Sequence, residues 1–258
     1  MDCCKNVNHL YILEDGTLDV EQKRHLKEAL VKVTIINKSD RDHYINPILS
    51  DYPLLSKFRT EVILAQKLID PLLFADKMKI PILNFIDTDV YFYNNCTLPS
   101  SDGNFSMFMK DNDSGYSFRI FNSLRYFFKF KIHPQINTGL FSLPIKWFTL
   151  NSLEKLLAIK SLRNDLDWCK VWAEQTLWAI LASRHDVCFY DETEIKVATN
   201  NISSLQPCSS IHFVSSFRNL FVQKSSFSRM VEIQYKPSRT TLNYLKFISL
   251  RIFKRITK

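Results

Sequence analysis

Two carboxylates separated by a single residue, Asp87 and Asp89, close an apolar segment that spans residues 79–86. At strand spacing their side chains point to the same side, with Thr88 on the opposite side. Hard divalent cations sit on one or two such carboxylates and take further ligands from phosphates and water. A buried carboxylate without a partner is costly, so two acids here favour a metal site over an ordinary core strand. The alternative is a turn with solvated acids.

The elements that must position these acids begin near the N-terminus. Residues 9–13 are predicted to form a buried strand and residues 14–17 the loop after it. Asp19 is placed to cap a helix over residues 20–30, and residues 33–36 form a second strand. Strand, helix and strand within so short a span predict a βαβ unit with parallel strands and a right-handed crossover.

The remaining pattern predicts helices and strands on both sides of the acid pair. A helix over residues 57–74 would carry Arg59 and Lys67, eight residues apart, nearly on one face. Gly139, inside a strand-like segment, indicates that something approaches the backbone closely there. The other predicted elements are strands at 80–86, 135–141 and 210–214, helices at 147–159 and 169–181, and polar loops around short strands at 94–117.

Composition excludes several classes of protein. The 258 residues are 46% hydrophobic and 13% aromatic, which is typical of a globular protein. With four glycines and neither GxGxxG nor GxxxxGK[ST], the usual marks of dinucleotide binding and P-loop chemistry are missing. The net charge of +8 forms no nucleic-acid motif, so no nucleic acid is expected as a partner. The six cysteines form no CxxC pair, which favours reduced thiols in the cytosol.

The C-terminal tail differs from the rest of the chain. No secretory signal is apparent, and no apolar run approaches the roughly 18 residues that span a bilayer. In residues 240–258, however, apolar residues recur every three or four positions with lysines and arginines between them. This pattern predicts a basic amphipathic helix on an anionic membrane, or else a surface helix packed on the domain. We therefore divide the chain at 1–235 and 236–258, and expect a cytoplasmic protein at the inner face of the plasma membrane.

Several short motifs, taken in their order along the chain, resemble those of bacterial GT-A glycosyltransferases. The nearest resemblance is to the glycogenin-like and lipopolysaccharide-galactosyltransferase-like retaining enzymes. The resemblance covers roughly residues 9–220. The motifs are Glu14-Asp15-Gly16-Thr17-Leu18, Arg59, Lys67-Leu68-Ile69-Asp70, Asp87-Thr88-Asp89, Asn137-Thr138-Gly139-Leu140, Glu174-Gln175-Thr176 and Ile211-His212-Phe213.

The resemblance implies an α/β fold of the GT-A, Rossmann-like type, with a mixed, mainly parallel central sheet flanked by helices. It also implies a retaining enzyme of polysaccharide biosynthesis, which moves a hexose from a nucleotide-diphosphate sugar to a glycan or glycolipid hydroxyl. Asp87 and Asp89 match the metal-binding acids, and His212 matches the histidine that completes the site. A histidine ligand suits Mn²⁺ better than Mg²⁺.

Further site residues follow from the same resemblance. Glu174, Gln175 and Asn137 are implied near the reacting centre. The residues implied in substrate binding are Asp15, Arg59, Lys67, Thr88, Gly139 and Arg218, where Arg218 would replace a phosphate-binding lysine.

Two alternatives to this enzyme remain open. The chain could be a GT-A remnant that acts as a binding or scaffold protein, or another metal-dependent nucleotidyl or phosphoryl transferase. Family members place a strand and a helix, which carry part of the base pocket, ahead of the segment that His9 begins. Only eight residues precede His9 here. Either the coding start lies upstream, the chain is a fragment, or the base is held differently.

Overall fold

The structure is a computed structural model. It describes residues 9–30, 32–62, 64–97, 103–112, 116–118, 126, 129–133, 135–166, 168, 172–198, 208–214, 230–232 and 234–237. Arg218 and the tail at 240–258 lie outside the described residues, so the membrane helix stays a prediction. Among the described residues, no helix is long and apolar enough to cross a membrane.

The first unit is the predicted βαβ. Strand β1 (Leu10–Leu13) pairs in parallel with β2 (Val33–Ile36), and helix α1 (Val20–Ala29) connects them. Asp19 caps α1, because its carboxylate accepts the Gln22 backbone N–H at 2.7 Å while the Gln22 side chain accepts the Asp19 N–H at 3.0 Å. The prediction of the unit and of its cap is confirmed.

Three helices follow, and they correct one prediction. They are α2 (Lys38–Leu49), α3 (Pro53–Glu61) and α4 (Ala65–Lys77). The single helix expected over residues 57–74 is therefore wrong. Val62 has extended backbone angles and ends α3, so Arg59 and Lys67 belong to different helices and do not share a face.

The largest sheet of the described residues has five strands, namely β3 (Ile82–Ile86), β6 (Ser106–Lys110), β7 (Ile136–Pro144), β8 (Val187–Tyr190) and β12 (Tyr235–Pro237). They lie side by side in the order β12-β8-β6-β7-β3. Only β6–β8 is parallel, whereas β3–β7, β6–β7 and β12–β8 are antiparallel. A mixed α/β fold is confirmed, but a mainly parallel sheet is wrong for these five strands.

Smaller sheets bring distant segments beside β3. Strand β4 (Val90–Phe92) follows β3 after a short turn and pairs antiparallel with β10 (Ser210–His212), which pairs in parallel with β9 (Ile195–Val197). Strand β5 (Asn95–Thr97) pairs in parallel with β11 (Met230–Glu232). The β4–β10 pairing places the end of β10 next to the turn that carries Asp87 and Asp89.

Helices from the second half of the chain complete the core. They are α5 (Leu150–Ala158), which follows a 3₁₀ turn at Ile145–Trp147, α6 (Lys160–Asp165) and α7 (Ala173–Ala182). Every residue of α7 is buried, and the helix packs against β7 and α4. Because β7 and α7 are both buried, the polar residues that they carry must find partners inside the protein.

Candidate metal centre

Asp87 and Asp89 follow β3, as the sequence predicts, but they lie in the turn before β4, so strand spacing does not set the direction of their side chains. Backbone hydrogen bonds fix both ends of this turn. The Asp87 N–H donates to the Gly139 carbonyl of β7 at 2.7 Å, and the Phe213 N–H donates to the Asp89 carbonyl at 2.8 Å. The turn held by these hydrogen bonds therefore directs both carboxylates toward His212.

His212, the last residue of β10, completes the cluster. Its Nε2 atom lies 3.0 Å from Asp89 Oδ1 and 3.7 Å from Asp87 Oδ2. The imidazole ring lies against the backbone of Gly139, where a Cβ atom would come closer than 3.0 Å to three ring atoms. Glycine at 139 thus leaves the space that the histidine fills, which confirms the close approach predicted from the sequence.

The three side chains could hold a metal ion. One ligand atom from each of Asp87, Asp89 and His212 can be chosen so that all three lie within 4.8 Å of one another. Two carboxylate oxygens and one imidazole nitrogen suit Mn²⁺ in particular, since Mg²⁺ prefers oxygen ligands alone. The donor set therefore fits the divalent ion that the sequence implies.

Lys67 adds a positive charge to the same place. Its Nζ atom lies 2.5 Å from Asp87 Oδ2, and the two side chains are partly buried at 14% and 22% exposure. Burial raises the pKa of Asp87, and the charge of Asp89 adds to this effect, while Lys67 and His212 act against it. A cation near these acids would oppose the rise and keep Asp87 ionised.

Glu174 is buried in the first turn of α7 beside this cluster. Burial raises its pKa from 4.5 to about 7, an effect that Lys67 opposes and Asp87 strengthens. Oε2 accepts a hydrogen bond from the Thr138 hydroxyl at 3.3 Å, whereas Oε1 has no hydrogen-bond partner of normal geometry among the described residues. Gln175, the next residue, is also buried. The structure thus brings an acid that titrates near neutral pH close to Asp87 and Lys67.

Asn137 also joins the cluster through His212. The His212 Nδ1 atom lies 2.9 Å from Asn137 Oδ1, and the same oxygen accepts the Gly139 backbone N–H at 2.9 Å. The Asn137 amide nitrogen lies 3.4 Å from Asp111 Oδ2. Asn137 is 3% exposed and therefore lies behind the metal ligands, away from solvent.

Other residues predicted for the site lie elsewhere or make local contacts. Arg59 contacts Asp70 and Asp42 in a buried ionic network, with Nε 2.8 Å from Asp70 Oδ1. Asp15 accepts the Thr17 hydroxyl at 2.6 Å and the Thr17 backbone N–H at 3.0 Å, and these bonds lower its pKa. Thr88 is exposed on the outer side of the acid turn.

Sequence reasoning missed two residues that contact the predicted set. Thr138 lies inside the Asn137–Leu140 motif, and its contact with Glu174, 36 positions along the chain, depends on the packing of α7 against β7. Asp111 follows the end of β6 in a polar segment, and nothing in its spacing distinguishes it from its neighbours. Its contact with Asn137 depends on the pairing of β6 with β7.

Comparisons with known proteins add little to this geometry. No family model matches the sequence, and no curated protein matches it. Among solved structures, the apo form of mouse xyloside xylosyltransferase 1 aligns with a TM-score of 0.44 and 11% sequence identity. The alignment covers 79% of this chain and 82% of that one. A likeness this distant carries no argument, so the functional conclusion has to rest on the site itself.

Proposed function

We propose that this protein is a metal-dependent glycosyltransferase of the GT-A type, which transfers a hexose from a nucleotide-diphosphate sugar to a hydroxyl of a glycan or glycolipid. The observation that carries the proposal is the convergence of Asp87, Asp89 and His212 on one point. The order of motifs along the chain supports the choice of a sugar nucleotide as the substrate.

Each residue near the cluster has a role in this proposal. Asp87, Asp89 and His212 would hold Mn²⁺ or Mg²⁺, and the bound ion would neutralise the diphosphate as the sugar leaves it. Lys67 would place its ammonium against a phosphate oxygen, since a diphosphate and Asp87 are both anions that it can pair with. Together these residues would bind and orient a negatively charged leaving group.

We assign Glu174 and Gln175 to the sugar-binding part of the site because residues 174–176 resemble the family motif. A carboxyl group with a pKa of about 7 is partly protonated at neutral pH. Glu174 could therefore accept hydrogen bonds from sugar hydroxyls and also donate one to them. The Trp178 side chain donates toward this carboxyl group and lowers its pKa. Thr138 donates to Oε2 at 3.3 Å, so the protein itself fixes the orientation of the group.

Donor hydrolysis is the experiment that tests the proposal. Purified protein with Mn²⁺ is incubated with a panel of uridine and guanosine diphosphate sugars, and release of the nucleoside diphosphate is measured. We expect release from at least one donor, its loss on chelation, and its loss in Asp89→Asn. Asp76→Asn, which changes an exposed acid of α4, is the matched control and should behave as wild type.

Two results would overturn the proposal. Absence of binding and hydrolysis for every donor would favour a non-catalytic binding protein with this fold. Metal-dependent cleavage of nucleoside triphosphates, without cleavage of sugar nucleotides, would assign the site to nucleotidyl or phosphoryl transfer instead.

A further inference from the structure

The side chain of Asn137 meets two donors on one side and a carboxylate on the other. Its Oδ1 atom lies 2.9 Å from the Gly139 backbone nitrogen and 2.9 Å from His212 Nδ1. Its Nδ2 atom lies 3.4 Å from Asp111 Oδ2. The arrangement determines which way the amide points.

Hydrogen-bond chemistry allows one orientation of this amide. The Gly139 backbone N–H can only donate, so the atom facing it must be the amide oxygen. An ionised Asp111 carboxylate can only accept, so the atom facing it must be the amide nitrogen. The flipped amide would set two donors against each other at Gly139 and two acceptors against each other at Asp111. Both errors would leave buried polar atoms unsatisfied.

The orientation of the amide then determines where His212 carries its proton. Because Asn137 Oδ1 can only accept, Nδ1 of His212 must be the donor in this contact. Nε2 faces the carboxylate oxygens of Asp89, at 3.0 Å, and of Asp87, at 3.7 Å, so without an ion it too is placed to donate. A bound ion would take the place of the Nε2 proton, whereas the Nδ1 proton would stay. A metal ligand must present a nitrogen lone pair, and a histidine that donates its other N–H to a fixed acceptor presents that lone pair in a fixed direction.

We propose that Asn137 is a positioning residue, which holds the His212 proton on Nδ1 so that Nε2 is kept for the ion, while Asp111 holds the amide of Asn137. The sequence implied a place for Asn137 near the reacting centre. Its hydrogen bonds connect it to His212 of β10 and to Asp111 after β6. This inference rests on the proposed metal site, and it holds for any reaction performed there.

Nuclear magnetic resonance of histidine-labelled protein tests the proton directly. Long-range ¹H–¹⁵N spectra identify which ring nitrogen carries a proton, and comparison with His212→Gln assigns the signals of this ring among the six histidines. We expect a solvent-protected proton on Nδ1 of the wild type, both metal-free and with Zn²⁺ as a diamagnetic ion. In Asn137→Ala that proton should be lost or exchange rapidly.

Metal affinity provides the second measurement. Loss of an outer partner of a ligand commonly lowers metal affinity by about 10- to 100-fold, so Mn²⁺ binding to Asn137→Ala should weaken by that factor. The double variant Asp111→Asn with Asn137→Asp exchanges the two side chains. An aspartate at 137 still accepts from His212 Nδ1, and an asparagine at 111 can donate to that aspartate. This double variant should regain most of the lost affinity and the Nδ1 proton. Asn84→Ala, an exposed asparagine of β3, is the control and should change neither measurement.

The outcomes separate this inference from the proposed function. An unprotonated Nδ1 in the wild type would overturn the inference, as would an Asn137→Ala variant with unchanged Nδ1 proton and unchanged Mn²⁺ affinity. If Asn137→Ala does not fold, the wild-type spectrum and the exchanged pair still decide. Inactivity toward every sugar nucleotide, with the expected proton and affinities, would reject the proposed function alone.

Discussion

Two groups of charged side chains lie within this protein, and they have opposite characters. The closed network consists of Arg41, Arg59, Asp42 and Asp70, whereas the metal centre consists of Asp87, Asp89, His212 and Lys67. In the closed network two guanidinium groups face two carboxylates, so the charges balance. In the metal centre Asp87 pairs with the Lys67 ammonium, and both acids lie beside the His212 ring.

The partners of the acids differ between the two groups. Asp70 is 1% exposed and pairs with Arg59 through two oxygens, at 2.8 and 3.0 Å, while Asp42 is 30% exposed. Asp87 and Asp89 keep 22% and 16% of their side-chain surface exposed and lie beside an imidazole nitrogen. Carboxylates paired with guanidinium groups stabilise the fold, whereas two carboxylates beside an imidazole nitrogen can receive a cation. The type of partner therefore distinguishes the two groups better than burial does.

The largest effect on stability is expected in the closed network. Asp70→Ala leaves two buried guanidinium groups to share the carboxylate of Asp42, so the free energy of unfolding should fall by about 3–5 kcal/mol. Denaturant titration measures this change. Asp89→Asn in the metal centre should not destabilise the fold, because it removes one of two like charges. Equal losses of stability in the two variants would erase the contrast between the groups.

The next effect concerns pH and Glu174. Its folded-state pKa of about 7 exceeds the ordinary 4.5, so between these values the folded state binds more protons than the unfolded state. Burial lowers the pKa of His133 to about 4, so that residue contributes a rise in the free energy of unfolding with pH. Glu174 should contribute a falling slope through this window, by up to about 3 kcal/mol, which levels off above it. Glu174→Gln keeps an acceptor for Thr138 and should remove that slope.

Thermal unfolding between about pH 5 and pH 8 checks this prediction. Glu192→Gln, which changes an exposed acid near Lys110, is the control and should keep the wild-type slope. The same pH dependence in wild type and Glu174→Gln would show that Glu174 does not titrate in this window.

Gly139 offers a smaller and more local perturbation of the metal centre. Gly139→Ala would push its Cβ atom into the His212 ring, so the ring must move away from Asp89. We expect Mn²⁺ affinity to fall by roughly tenfold, with a stability loss of about 1–3 kcal/mol from overpacking. Calorimetric titration measures the affinity.

Gly103→Ala provides the matched control for this substitution. Gly103 has a φ of +94° and no atom within 4 Å of a built Cβ, so alanine there is strained by its backbone alone. It should leave Mn²⁺ affinity unchanged. Loss of affinity in both variants would mean that the effect of Gly139→Ala is not local to His212.

The smallest effect is expected at Lys67, where the charge balance of the metal centre can be changed directly. Lys67→Met removes the ammonium that competes for Asp87, so Mn²⁺ affinity should rise by roughly fivefold, or about 1 kcal/mol. Binding of nucleoside diphosphate should weaken at the same time. Lys77→Met on the same helix is the control. Weaker Mn²⁺ binding in Lys67→Met would contradict the expectation that Lys67 and the ion compete for Asp87.

Local patterns in the sequence predicted much of this structure. The Asp19 cap, the parallel β1–β2 pair and the space at Gly139 all depend on residues that are close in sequence or on one missing side chain. The strand that precedes the acid pair was predicted correctly, but strand spacing does not orient the pair, since a turn carries it. What identified it correctly was its composition, two acids after an apolar segment.

Long-range pairings were beyond the reach of those patterns. The antiparallel pairing of β3 with β7 and the break between α3 and α4 depend on tertiary packing. Arg59 has the same residue type and helical context whether it meets a phosphate or Asp70, and only the fold shows that it meets Asp70. The contact of Asn137 with His212 likewise depends on β7 and β10, whose residues are 75 positions apart.

Titration of metal-free protein with Mn²⁺ tests the central claim most directly. The account predicts saturable binding of a single ion per chain, lost in Asp87→Ala and in Asp89→Ala and retained in Asp76→Asn. Absence of saturable binding, or binding that survives both alanine substitutions, would contradict the assignment of Asp87, Asp89 and His212 as a metal centre.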